Sequence, residues 1–128
     1  MKYLLDTCAF LWVSQQPKML SVAAKAAIND QTSELFVSDV SLWEITLKHS
    51  TGKLPLPKAP RLWIPEKIAF HQFKPLPVNH ECLYLSGELP RVHADPFDRL
   101  IAAHAIAEGM TLLSPDTPLS DLGASRIW

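Results

Sequence analysis

The sequence predicts an α/β fold in which a parallel sheet is covered by helices on both faces. Three observations point there. Short apolar runs alternate with stretches of helical periodicity, the order that parallel crossovers require. Several helix starts carry strong capping residues. Hydrophobic residues make up 48% of 128 positions, enough for a sizeable core and too many for a disordered chain. A chain of this length fits one domain, residues 1–128.

Residues 2–6 read as a short buried strand ending in Asp6, followed by a helix through Phe10, Leu11 and Trp12 that stops near Pro17. Ser21 is the expected N-cap of a helix from Val22 to Asn29. Leu35 to Val37 is the second strand. Ser38 or Asp39 then caps a helix running to about His49, with Gly52 just past its end. Residues 53–65 are broken by prolines and read as loop or a short helical connection. Lys67 to Phe70 belong to a short helix with Pro65 near its first turn. Leu76 to Val78 form a short edge strand, flanked and interrupted by Pro75 and Pro77. Asn79 caps a helix containing Cys82, Leu83 and Leu85, and 88–94 is loop. Asp95-Pro96-Phe97-Asp98 opens a long helix: a capping aspartate, a proline suited to the first helical position, and an acid at the positive end of the dipole. That helix ends near Gly109. Met110 to Leu113 is a strand, and Ser125 to Trp128 is the last.

Four carboxylates fall where such a sheet gathers them. Asp6 and Asp116 follow apolar strands, Asp98 lies in the first turn of an alanine-rich helix, and Glu44 borders an apolar helical stripe. In open parallel sheets, function collects beyond the carboxyl ends of the strands. Crowded like charges repel, so the cluster calls for a positive guest. A hard divalent cation such as Mg²⁺, which prefers oxygen ligands, suits it.

Each acid also has an ordinary reading. Asp6 could cap the next helix, although Thr7 could cap equally well and leave the carboxylate available. On a helical wheel Val40, Trp43 and Leu47 form one stripe, with Glu44 about 40° from Val40 at the margin of the buried face. Its ordinary partner is Lys48, in a pair worth about 0.2–0.5 kcal/mol. Asp98 resembles the closing member of a capping box with Asp95, and Asp116 a turn residue. Their joint placement favours a site. Asp95, assigned mainly to capping, is a secondary candidate, as are Thr7 and Ser114. Arg91, His93 and Arg99 flank the acids in sequence and are candidates for contacting substrate phosphates, with a solvated loop as the ordinary reading.

Cys8 and Cys82 match no zinc or CxxC spacing and read as free thiols in a reducing compartment. Asp6 interrupts the apolar start too early for a secretory signal, and no stretch nears the roughly 18 apolar residues that span a bilayer. A cytoplasmic location is expected. The net charge of −1 argues against a module that holds DNA by charge alone. It is compatible with a nuclease, whose metals offset local negative charge.

The segments Leu4-Leu5-Asp6-Thr7, Val40-Ser41-Leu42-Trp43-Glu44-Ile45, Asp95-Pro96-Phe97-Asp98-Arg99 and Leu112-Leu113-Ser114-Pro115-Asp116 together resemble the PIN-domain family. More narrowly they resemble the VapC-type ribonuclease toxins of bacterial toxin–antitoxin pairs. The most specific stretch runs from Asp95 into Ile101-Ala102-Ala103-His104-Ala105. The resemblance implies a three-layer α/β/α sandwich and an acidic quartet of Asp6, Glu44, Asp98 and Asp116. It also implies Mg²⁺ or Mn²⁺ as cofactor, endoribonuclease activity on an RNA substrate, a homodimer, and a small antitoxin protein as partner. The reaction implied is in-line attack of activated water on phosphorus, leaving 5′-phosphate and 3′-hydroxyl ends. A groove formed by the proline-rich stretch 53–65 and the Trp12 region is a possible antitoxin seat.

Two other readings compete with this one. A haloacid-type phosphatase needs a second acid two residues after the first aspartate, where Cys8 stands. A catalytically inactive PIN-like interaction domain would use the same acids only as caps.

Overall fold

A computed structural model describes residues Met1–Trp128. Its centre is a five-stranded parallel sheet in the order β3-β2-β1-β4-β5. The strands are β1 (Lys2–Leu5), β2 (Glu34–Ser38), β3 (Lys74–Leu76), β4 (Thr111–Leu113) and β5 (Arg126–Ile127). The helices are α1 (Thr7–Gln15), α2 (Val22–Asn29), α3 (Asp39–Ser50), α4 (Pro60–His71), α5 (His80–Glu88), α6 (Pro96–Glu108) and a short α7 (Pro118–Asp121). A single 3₁₀ turn, Pro17–Met19, follows α1.

The period-two alternation of strand side chains splits the core into two layers. Leu4 and Leu112 face one side, packing with Leu89, Ile101, Ala102, Ala105 and Leu119. Tyr3, Leu5 and Leu113 face the other, with Ala9, Phe10, Ile45, Trp63 and Phe73. Helices therefore cover both faces, which is the expected three-layer sandwich. Ala102, Ala103 and Ala105 of α6 are fully buried, and their small size lets the helix lie close to the sheet. Its end is set by Gly109, whose φ of 65° is left-handed and whose N–H reaches Ala105 C=O.

Register places the site. Leu5 is level with Val37 on one side and with Leu113 on the other. The residues that follow these three, Asp6, Ser38 and Ser114, thus emerge along one edge. Asp6 N–H donates to Leu113 C=O at 3.1 Å. The chain builds outward from β1 to β2 and β3, then crosses to β4 and β5, so the crevice between β1 and β4 is the topological switch point.

Three expectations need correction. Residues 60–65, expected as loop or a short helical connection, belong to one twelve-residue helix: Pro60 takes the first helical position of α4 and Pro65 sits inside it. Pro65 leaves the Arg61 carbonyl without its usual partner, but both residues are exposed, so water can reach that group. Burial of Trp63 and Ile64 holds the helix together. The edge strand lies at Lys74–Leu76 and pairs only with β2, a position that tolerates Pro75. In α3 the buried face runs through Val40, Ser41, Glu44 and Ile45, whereas Trp43 is 58% exposed. Trp43 instead leans edge-on against Phe97, ring centroids 5.0 Å apart. The short α7 was not anticipated; its four residues carry too little periodicity to read.

Phe10 is fully buried, with Trp63 and Phe73 ring centroids 6.0 and 5.9 Å away. Phe10→Ala is expected to lower stability by about 3–5 kcal/mol, measured as a fall in the denaturant midpoint with little change in slope.

Candidate active site

Asp6, Glu44, Asp98 and Asp116 line one cavity of about 370 Å³, together with Thr7, Cys8, Ile101 and Pro115. Four separate segments supply the acids: the end of β1, the middle of α3, the first turn of α6 and the turn after β4.

Asp6 performs two tasks at once. It is itself the N-cap of α1, its Oδ1 accepting from Ala9 N–H at 2.7 Å. Thr7 is therefore not the cap. Asp6 Oδ2 accepts from the Ser114 hydroxyl, and that hydroxyl in turn accepts from Asp116 N–H at 3.0 Å. Ser114 thus ties the first acid to the last. Burial pushes the Asp6 carboxyl up to about 7 against the pull of its Ser114 and Ala9 hydrogen bonds, and the charges of Asp98 and Asp116 push in the same direction.

Glu44 is held from two sides. The Thr7 hydroxyl donates to its Oε1 at 2.6 Å, and Lys48 pairs with its Oε2. The ordinary i,i+4 ion pair therefore exists, and Glu44 still faces the cavity. The Glu44 hydrogen bond raises the Lys48 pKa, so the ammonium is a permanent positive charge beside the acids.

Asp98 does not close a capping box. Asp95 alone caps α6, its Oδ1 accepting from Phe97 N–H at 2.8 Å and Asp98 N–H at 3.3 Å. That leaves the Asp98 side chain free to turn to His93, whose Nε2 lies 2.7 Å from Oδ2. Burial raises the Asp98 pKa, aided by Asp95 and Asp116, while the hydrogen bond with His93 opposes the rise.

The flanking cations separate into three roles. Arg99 is buried and its guanidinium faces protein carbonyls. Its terminal nitrogens donate to four backbone carbonyls, those of Ser86, Leu89, Pro90 and His93, at 2.8–3.0 Å. Arg91 is exposed on the same loop and lines a separate small cavity with His93 and Arg99. His93 sits between that cavity and the acids. His104 is a core residue, with Nδ1 2.8 Å from Ser38 Oγ. Lys48 and the His93–Asp98 contact were the features the residue pattern did not assign to the site. The Glu44–Lys48 spacing was a usable signal for the first, and nothing local signalled the second.

The donor set fits a divalent cation. One ligand atom each from His93, Asp98 and Asp116 lies within 4.8 Å of the others, and a buried carboxyl beside them carries a strongly raised pKa. The anticipated groove of 53–65 with the Trp12 region is not the one that forms. Leu42, Thr46, Pro60, Ile64, Ile68 and Phe73 help line an apolar cleft of about 770 Å³ between α3 and α4. Trp12 takes no part in it and packs on Trp128, centroids 5.6 Å apart.

Fold and site together are those of a PIN domain: the family model of that name matches residues 3–124, and the chain belongs to this family. Among characterised proteins it is similar to Ribonuclease VapC22 of Mycobacterium tuberculosis (strain ATCC 25618 / H37Rv), with 31% identity over 117 residues, 91% of this chain and 88% of that protein. Among solved structures it is similar to VapBC2 from Rickettsia felis bound to a DNA fragment from their promoter, at TM-score 0.75 and 19% identity, covering 100% of this chain and 99% of that one. DNA-bound VapBC from Salmonella typhimurium matches at TM-score 0.71 and 18% identity, covering 100% and 97%. The structural likenesses establish the fold.

Two outcomes follow from the electrostatics. Between the ordinary carboxylate value of 3.8 and about 7, folded Asp6 keeps a proton that the unfolded chain has released. Raising pH through that window therefore destabilises the metal-free fold. Melting temperature in chelator should fall from pH 5 to pH 8, and Asp6→Asn should flatten that fall and melt no lower than the parent at pH 8. The second concerns Cys8, pushed up to about 12 by burial and then by Asp6, Asp116 and Glu44. With Cys82 buried, a thiol-disulfide reagent at pH 8 should find almost no reactive thiol in the native chain and both after denaturation.

Proposed function

We propose that this chain is a metal-dependent endoribonuclease, the toxin of a bacterial toxin–antitoxin pair. The observation that carries the reading is the convergence of four acids from distant segments into one cavity at the switch point of the sheet. The likeness to Ribonuclease VapC22 supports RNA as the substrate. The likeness to VapBC assemblies supports an antitoxin partner, for which the apolar cleft between α3 and α4 is the candidate seat. A homodimer and a cytoplasmic location belong to the same reading. No helix is long and apolar enough to cross a membrane.

Asp6, Asp98 and Asp116 are the residues that would hold Mg²⁺ or Mn²⁺. Bound there, the ion supplies Lewis-acid stabilisation of phosphate charge and acidifies water at neutral pH. The protein's own residues do the rest. Ser114 fixes the spacing between Asp6 and Asp116 through its two hydrogen bonds. Thr7 and Lys48 hold Glu44 in one orientation, where its carboxylate can align water for attack on phosphorus. The Lys48 ammonium, half-exposed at the rim, offers a positive charge to an approaching phosphate and lessens its repulsion by the acids.

The test is cleavage of cellular RNA by the purified chain, with Mg²⁺ or Mn²⁺ and with chelator. Chelation should abolish cleavage. Asp98→Asn should lower the rate about 100-fold or more while far-UV circular dichroism stays unchanged. Products should carry 5′-phosphate and 3′-hydroxyl ends. A 2′,3′-cyclic phosphate product would mean attack by the ribose hydroxyl and would overturn the route.

A further inference from the structure

We propose that His93 is a nitrogen ligand of the cation site, and that this ligand gives the site a preference for first-row transition ions over Mg²⁺. The inference rests on the metal-dependent reading above and goes beyond it, since that reading needs only carboxylates.

Geometry selects the residue. Of the acidic and imidazole groups in this region, those whose ligand atoms gather within 4.8 Å are His93, Asp98 and Asp116. Asp6 and Glu44 lie outside that gathered set, their carboxylates bonded to Ala9 and Ser114 and to Thr7 and Lys48, so His93 would join the carboxylates at the ion rather than displace Asp6. Adjacent ligands on an octahedral ion, each about 2.1 Å from it, stand about 3 Å apart, and opposite ones about 4.2 Å. The 2.7 Å between His93 Nε2 and Asp98 Oδ2 is close to the adjacent spacing. Small side-chain rotations would bring the wider separations into range.

The loop that carries His93 is fixed in place. Residues 89–95 have no helix or strand, and such a segment would ordinarily be mobile. Here the buried guanidinium of Arg99 gathers its carbonyls, including that of His93 itself at 3.0 Å. Arg99 directly follows Asp98 on α6, so the imidazole and the carboxylate are referenced to the same turn of helix. Arg99 is thus a positioning residue for His93.

The chemistry gives the selectivity. Mg²⁺ takes oxygen ligands and keeps several waters, whereas imidazole suits first-row transition ions. Replacing one oxygen donor by imidazole therefore shifts the balance toward the latter. Mn²⁺ is the useful probe because it is paramagnetic.

The experiment uses the full chain, metal-stripped and free of any histidine tag, loaded with Mn²⁺ alone. Pulsed electron paramagnetic resonance should show ¹⁴N modulation from a directly bound nitrogen, replaced by a ¹⁵N pattern when histidine is labelled. His93→Gln, a partly buried loop substitution, should keep the fold and lose the nitrogen signal. Calorimetry should show its Mn²⁺ affinity down about tenfold or more and its Mg²⁺ affinity changed by less than about threefold. Oxygen-only coordination in the parent chain, or a nitrogen signal that survives His93→Gln, would overturn the proposal. If Mn²⁺ binds through oxygen alone and Asp98→Asn abolishes binding, the metal-dependent reading stands and the role of His93 falls. If the parent chain binds no Mn²⁺, both fall.

Discussion

Mutual repulsion among carboxylates brought together by a parallel sheet is the constraint around which this molecule is organised. Register forces it: β1 and β4 lie side by side with their ends level, so any acids placed after both strands must meet. The surroundings then limit the damage. Asp6 is stabilised by a helix N-terminus and a serine hydroxyl, Glu44 by a lysine and a threonine, and Asp98 by a histidine. None of these partners neutralises the whole cluster, and Asp6 remains strongly raised. A structure that needed only helix caps would have no reason to keep the excess charge. A structure that binds a cation there does, because the ion offsets the repulsion and stabilises the native state in proportion to its occupancy.

The same logic explains the second layer of residues. Ser114, Thr7 and Arg99 contribute little charge to the cavity but decide where charges point. Ser114 spans two acids, Thr7 links the start of α1 to the middle of α3, and Arg99 stitches the loop before α6 to the helix itself. A cation site requires ligands placed to within a fraction of an ångström, and side chains on different elements reach that precision only when such neighbours hold them.

How much of this was legible in the residues differs by physical scale. Strand ends and helix starts were readable because their signals are local: Ser21, Asn79 and Asp95 cap the helices they were expected to cap, and of the pair Ser38 or Asp39 it is Ser38 that caps α3. The acids were readable because strand-end position is a topological consequence of an α/β pattern. α4 was misread because Pro65 is a strong local breaker, and burial of Trp63 and Ile64, a tertiary effect, outweighs it. Trp43 was placed inside by its hydrophobicity, yet the face of α3 that meets the sheet is set by Val40, Ser41 and Ile45, which fit the space beside β1 and α1.

Arg99 shows the limit most plainly. Beside two aspartates in sequence, an arginine reads as a phosphate contact, because sequence reveals charge and not partners. Its guanidinium finds instead a ring of carbonyls left over where α5 ends and an irregular loop begins. Those carbonyls are an accounting consequence of the fold: a helix terminus and a loop without secondary structure leave acceptors that something must satisfy. A buried guanidinium with planar, well-spaced donors suits that task better than water in a tight turn. The guanidinium is thus committed to holding the loop together, and through the His93 carbonyl it fixes the neighbouring histidine, read beside it as a phosphate contact, where its imidazole meets Asp98.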